Sequence, residues 1–341
     1  MSITKVELSN IRTALSETYG LFICSSSFED RCVSIPASID TDKISRALIL
    51  SNVDYLDWVR PNQQKLVNAL GEKGYVIKVR SSDPIYTADN INQCLKQARD
   101  EGHTDSILID VTAFTHEALL ILIRLLRISF STSRITGAYA NASEYSVGDD
   151  IRHKWLSRGI GEVRSVLGYP GNIVLSRKTH LMLIVGYEHE RAAGLIDSIE
   201  PNSIALGYGR SGSATTEKNK DANEHYMNLV KQMATSFSEI SLFEIPCDDP
   251  QGTRDKLREQ INKAGDVNIL IAPMNNKLST IGAAWAAFEN RDVQICYARA
   301  LSYNYGGYSM PGSHCYLLDM QWKEDPPRSS EQDRDRTRRV C

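Results

Sequence analysis

The sequence predicts an α/β protein made of two tandem Rossmann-like units, each a doubly wound parallel sheet, packed as a pseudo-dimer. Three observations predict it. Short motifs recur about 160 residues apart, apolar strand-like runs alternate with amphipathic helical ones in both halves, and 341 residues exceed what one hydrophobic core usually holds.

The repeat is visible in three places. Tyr19-Gly-Leu-Phe-Ile-Cys-Ser-Ser-Ser-Phe-Glu-Asp-Arg31 matches His180-Leu-Met-Leu-Ile-Val-Gly-Tyr-Glu-His-Glu-Arg191, with the arginines 160 positions apart. Ser106-Ile-Leu-Ile-Asp110 matches Asn268-Ile-Leu-Ile-Ala272 at a spacing of 162, and Tyr139-Ala-Asn-Ala-Ser-Glu-Tyr145 matches Tyr297-Ala-Arg-Ala-Leu-Ser-Tyr303 at 158.

Each copy reads as five strands and four helices. In the first, strands are predicted near 20–25, 46–51, 75–80, 106–111 and 135–140, with helices near 29–39, 57–73, 88–101 and 115–129. In the second, strands fall near 181–186, 203–207, 239–244, 268–272 and 292–297, with helices near 189–199, 221–236, 252–264 and 278–289. Short apolar strands separated by amphipathic helices imply parallel pairing through right-handed crossovers. Leu119, Leu120, Leu122, Ile123 and Leu126 leave their helix few polar positions, so it is expected to be covered on most sides. Units are therefore placed at 1–175, linker included, and 176–322, with Trp155 to Gly171 joining the copies and a mobile Pro-, Ser- and charge-rich tail at 323–341.

A net charge of −3 gives no reason to expect nucleic acid or an anionic membrane as partner. The longest apolar run, Ala118 to Leu126, is interrupted by Arg124 and is too short for a bilayer, and the N-terminus has no signal-peptide core. The seven cysteines are odd in number and form no CxxC, so they read as reduced core residues of a cytoplasmic protein rather than disulfides or a zinc site. No metal and no cofactor are predicted.

An open parallel sheet binds ligands beyond the carboxyl ends of its strands, where strand order reverses. In a 3-2-1-4-5 order that crevice lies between strands 1 and 4. After strand 1 the first copy carries Ser25, Ser26, Ser27, Phe28, Glu29, Asp30 and Arg31. Two readings stand: helix capping by Ser27, or hydroxyl and carboxylate recognition of a sugar or base edge. After strand 4 come Asp110, Thr112, Phe114, Thr115, His116 and Glu117, suited to ligand hydroxyls or phosphate, or to a plain N-cap from Thr115. The second copy offers Gly186, Tyr187, Glu188, His189, Glu190 and Arg191, then Asn275, Asn276, Lys277, Ser279 and Thr280. Lys277 at a helix start makes a phosphate pocket plausible.

Gly207-Tyr-Gly-Arg-Ser-Gly212 matches GxGxxG but follows strand 2, so it reads as a loop in which Arg210 can meet phosphate, not as a dinucleotide fingerprint. Tyr303, Tyr305 and Tyr308, in the stretch ending at Gly312, suit either stacking on a base or packing against the sheet end.

Asp110-Val-Thr-Ala-Phe-Thr-His-Glu resembles the strand-4 motif of CARF domains, sensors of cyclic oligonucleotides, and the tandem repeat resembles the fused CARF pair of SAVED domains in anti-phage signalling. Ala113, Phe114 and His116 replace that family's glycines and lysine, and in the second copy only Asn276-Lys277 looks similar. Leu21-Phe-Ile-Cys-Ser-Ser-Ser-Phe-Glu-Asp is similar to the first strand of TIR-like domains, some of which hydrolyse NAD. The resemblance implies a regulatory or sensor protein, and the strand-end crevices place Ser25, Ser26, Arg31, Asp110, Thr112 and His116 of one half against a nucleotide-type small molecule. Glu188, Arg191, Asn275, Asn276, Lys277 and Thr280 would contact it from the other. A second reading is an enzyme cleaving a nucleotide or N-glycosidic bond, with Glu29 or Glu117 as nucleophile or base and His116 or His189 assisting. A third is a non-catalytic adaptor with a protein partner in a defence complex.

Overall fold

The computed structural model describes residues 3–103, 105–148, 150, 154–209, 217–234 and 239–320. The tail expected at 323–341 and the Arg210–Gly212 part of the glycine-rich loop lie outside the described residues.

The first half runs β1 (Ile3–Glu7), α1 (Ile11–Ala14), β2 (Tyr19–Ser25), β3 (Ile44–Asn52), α2 (Leu56–Leu70), β4 (Gly74–Val79), α3 (Pro84–Asp100), β5 (Ser106–Asp110), α4 (His116–Ser129) and β6 (Arg134–Tyr145). After β7 (Ser157–Pro170), the second runs β8 (Thr179–Ile184), α5 (His189–Ile199), β9 (Ser203–Gly209), α6 (Glu217–Ala234), β10 (Glu239–Ile245), α7 (Pro250–Ala264), β11 (Asn268–Pro273), α8 (Lys277–Glu289) and β12 (Gln294–Tyr303), then β13 (Ser309–Asp319).

Two sheets form, in the orders β1-β13-β6-β5-β2-β3-β4 and β10-β9-β8-β11-β12-β7. Within each copy the five repeated strands stand as 3-2-1-4-5, all parallel. The chain is thus an α/β pair of Rossmann-like units.

Three strands lie outside the expected plan, and the first, β1, pairs antiparallel with β13 at the edge of the first sheet. The segment expected to link the copies is β7, paired antiparallel with β12 of the second sheet. The tyrosine- and glycine-rich stretch after β12 leads into β13, paired antiparallel with β6 of the first sheet. The halves therefore exchange strands reciprocally, and a sequence division near 175 does not coincide with a division between sheets. A second correction concerns the helix expected at 29–39. Only a short 3-10 turn, Asp30–Val33, forms there, and Pro36 bars a regular helix through that segment.

The layers follow from the apolar faces. Leu66 and Leu70 of α2 cover one face of the first sheet together with Phe22, Ile49 and Leu108. Leu195 of α5 and Tyr226 of α6 cover the outer face of the second. Between the sheets lies one continuous core, in which α3, α4, α7 and α8 meet. There α8 is buried from Leu278 through Phe288, and α4 buries Leu119 to Ile123 and Leu126, as its sequence predicts. Tyr169 of β7 clamps this layer: its ring stacks on Phe288 at 5.5 Å and its hydroxyl donates to Leu120 O at 3.0 Å. Truncating one such core leucine to alanine typically costs about 2–5 kcal/mol.

No described helix is long and apolar enough to cross a membrane.

Candidate functional site

The carboxyl ends of β2, β5, β8 and β11 carry the turns singled out in the sequence, and the packing of α4 against α8 brings the turns of both halves together. At the first, Ser25 and Ser26 each donate from Oγ to Leu50 O at 3.3 Å, tying the turn to β3. Ser27 Oγ accepts the Glu29 N–H at 3.2 Å, so it caps a turn rather than a helix.

Glu29 is joined by Arg31, whose Nη2 and Nε donate to Oε2 at 2.6 and 3.1 Å, and by Ser309 Oγ at 2.7 Å. Ser309 is the first residue of the exchanged strand β13. The second half repeats the device: Arg191 Nη1 donates to Glu188 Oε1 at 2.6 Å and to Ser157 Oγ at 3.0 Å, and Ser157, first residue of β7, bonds Glu188. Each guanidinium also lies over a strand-5 tyrosine. Arg31 sits 5.9 Å from the Tyr139 ring and 5.2 Å from Tyr145, and Arg191 sits 5.6 Å from Tyr297. Glu, Arg, Ser and tyrosine therefore form one constellation in duplicate. The paired tyrosines were within the repeat seen in the sequence. Ser157 and Ser309 carried no signal because they begin strands that read as linker and loop.

His116 is buried at the start of α4, with Nδ1 2.6 Å from Thr280 Oγ1 of α8. Thr280 spends its hydroxyl proton on Asn276 O at 2.9 Å, so it accepts from His116 Nδ1–H. That fixes the tautomer and leaves Nε2 as an acceptor. Burial, then the charges of Lys277 and Arg191, hold the imidazole well below its ordinary pKa, hence neutral.

Lys277 opens α8 and makes no hydrogen bond or ion pair with the described residues. Burial lowers its ammonium to about 8; Glu29 and Glu188 oppose that shift, while Arg31 and Arg191 add to it. Thr115 and Asn276 cap α4 and α8 by accepting from Ala118 and Ser279 at 3.2 and 2.9 Å, so two helix N-termini converge here.

Two crevices open on this cluster, with about 890 and about 810 Å³ of empty space including the open solvent at their mouths. The first joins Ser25 to Glu29, Thr115, His116 and Glu117 of one half to Arg191, Tyr297 and Tyr303 of the other. The second joins Gly186 to Glu188 and Met274 to Leu278 to Arg31, Tyr139 and Tyr145. Each crevice is thus walled by the other copy's Arg–Tyr set. His116, Glu188, Lys277 and Tyr308 border both. At Gly186 a Cβ would stand 2.2 Å from Met274 O, so the turns that shape the second crevice meet only because that position is glycine.

An aromatic group covers the first crevice. Phe28 lies 5.6, 4.9 and 5.3 Å from Tyr303, Tyr305 and Tyr308, and Tyr305 stacks on Trp58 at 4.3 Å. Burial raises the Tyr297 phenol to about 12 and those of Tyr303 and Tyr308 well above the ordinary value, keeping all three as donors.

Several expected contacts fall elsewhere. Asp110 borders neither cavity: it points into the outer layer, accepts the Thr112 N–H at 3.0 Å, and burial lifts it to about 7. Thr280 also borders neither and serves to hold His116. Glu117 is on the wall of the first cavity, but Arg164 of β7 grips both its oxygens at 2.8 and 2.7 Å. With Glu29 held by Arg31, neither carboxylate proposed as nucleophile or base is free of a guanidinium. His189 stacks on Tyr226 at 5.3 Å, outside both cavities. Ser25, Ser26, Thr112, Glu188, Arg191, Asn275 and Asn276 do border one or both. Among the described residues no group of three or more His, Cys, Asp or Glu is placed to hold a metal ion.

No protein-family model and no curated protein matches the chain. Among solved structures it is similar to a ketoreductase domain from the bacillaene assembly line, at 16% identity over 67% of this chain and 58% of that one, with a TM-score of 0.19. It is also similar to an N-terminal ketoreductase from the macrolactin assembly line, at 11% identity over 86% and 72%, with a TM-score of 0.21. The chain spans less than two thirds of the first domain's length, and at such scores neither likeness carries an argument.

Proposed function

We propose that the protein binds a nucleotide-type small molecule across the joined crevices and acts as a sensor or regulator. The observation that carries this reading is that two cavities at the carboxyl ends of both sheets share His116, Glu188, Lys277 and Tyr308. The wall chemistry suits a nucleotide: serine hydroxyls for a ribose, aromatic rings for a base, and a cation between two helix N-termini for a phosphate. A role in bacterial anti-phage defence extends the resemblance of Asp110-Val-Thr-Ala-Phe-Thr-His-Glu to CARF motifs. Binding is favoured over cleavage because Glu29 and Glu117 are both engaged by arginines.

The test is calorimetry and thermal denaturation with a panel of nucleotides and cyclic oligonucleotides, together with an assay for released base. A ligand at a hundred times its Kd should stabilise the protein by about 2.7 kcal/mol, a readily measured rise in Tm. No stabilisation by any member at millimolar concentration contradicts the reading, and release of base turns it into catalysis.

A further inference from the structure

We infer that the two crevices are chemically unequal, and that Arg191 and Lys277 form a single phosphoryl-binding subsite in the first crevice. This deepens the nucleotide reading and rests on it for the ligand's class.

The inequality lies in the duplicated arginines. Arg31 uses all its nitrogens: Nε on Glu29 and Ser309, Nη1 on Ala140 O, and Nη2 on Glu29. Arg191 uses only Nη1, on Ser157 and Glu188. Its Nε and Nη2 are buried without a hydrogen-bond partner among the described residues, in a residue only 2% exposed. Leaving donors of a charged group unpaired out of water is costly, so such an edge is set for an acceptor. Arg191 borders the first crevice, and these two nitrogens form one edge of the planar fork that matches two oxygens of a phosphoryl group.

The surrounding charge agrees. Arg31 and Arg191 are cancelled by Glu29 and Glu188. Buried Lys277, which makes no ion pair with the described residues, borders this crevice and the second alike beside the capped N-termini of α4 and α8, and the exposed Arg80 borders the first as well. The second crevice shares Lys277 but faces the saturated Arg31, the carboxylate of Asp248 and the amides of Asn275 and Asn276, so it lacks the open guanidinium edge that Arg191 gives the first.

The test is isothermal titration of the full chain with inorganic phosphate, and separately with nucleoside monophosphates and the matching nucleosides. The wild type is expected to take up one phosphate per chain. Lys277→Gln should bind it at least about tenfold more weakly, since charge-assisted bonds are at stake. Lys277 makes no hydrogen bond or ion pair with the described residues, so the variant should fold normally. Arg191→Lys, which keeps the charge but not the fork, should weaken uptake as well, and the exposed Lys256→Gln should not. Two phosphates per chain, unchanged uptake in Lys277→Gln, or no uptake at millimolar phosphate overturns the subsite. Nucleotide binding that survives Lys277→Gln unchanged defeats the subsite and keeps the nucleotide reading. Phosphate uptake that is lost in Lys277→Gln, with no nucleoside or nucleotide bound by the wild type, keeps the subsite and defeats that reading.

Discussion

Lys277 combines a lowered pKa with the lack of a hydrogen bond or ion pair among the described residues, and both have consequences that titration can read. With its ammonium at about 8 rather than 10.5, its charge is lost in mildly alkaline solution. Anion binding that depends on this charge should be flat below that value and fall by about tenfold per pH unit above it, and Lys277→Gln should abolish the dependence. Asp110 makes the opposite kind of statement. Burial raises its folded pKa from 3.8 to about 7, so its proton is held more tightly in the folded chain. The stability this contributes is complete below the unfolded value and is lost progressively as pH rises from 3.8 through about 7. Asp110→Asn keeps an acceptor for the Thr112 N–H, and should flatten the pH dependence of unfolding in that window. Denaturant titrations at either end of the window check it; an unchanged slope contradicts the assignment. At this scale the sequence showed the right neighbourhood but not the roles. Asp110 stood beside Thr112 and His116 in the chain, yet strand alternation turns its side chain to the outer layer.

At the scale of elements, the parallel strands and most helices were legible because their signals are local: apolar runs of strand length, amphipathic runs of helix length and the cap at Thr115. The exchanged strands were not, for a physical reason. β7 shifts register against β12 twice, and positive φ at Gly159 and Gly168 breaks its alternation. β13 shifts register around Pro311, where no regular strand pattern can be written. What holds β7 in place is partly electrostatic. The Glu117–Arg164 pair, with both side chains largely buried, bonds α4 to the strand, and Arg164 also reaches Ser81 O at 2.7 Å. Glu117→Gln leaves the guanidinium short of its main partner and should destabilise the fold by about 3 kcal/mol, measured by denaturant unfolding. A loss near zero would mean that Glu162 and solvent suffice for Arg164.

At the scale of the whole molecule, the duplication read from three motif pairs proves to be a pseudo-dimer whose halves complete each other. That both copies share one strand order was foreseeable from the repeat; reciprocity was not, since nothing local in Ser157 or Ser309 reveals which sheet their strands join. A fragment ending near Ser146 lacks β13, leaving the β6 edge and the Glu29–Arg31 pair without Ser309. It should be insoluble or unfolded alone, and should recover native-like melting when coexpressed with the remainder. Independent folding of that fragment would count against the exchanged architecture as a source of stability.

The central claim is that one ligand site is built from both halves. Its most direct measurement is calorimetric titration of a binding nucleotide against the wild type, His116→Ala and Lys277→Gln, one change from each half. The account predicts a single site that both changes weaken, and a double variant that loses less than the sum of the two single effects, because the side chains border the same space. Two independent sites per chain, each weakened by only one of the changes, would contradict it.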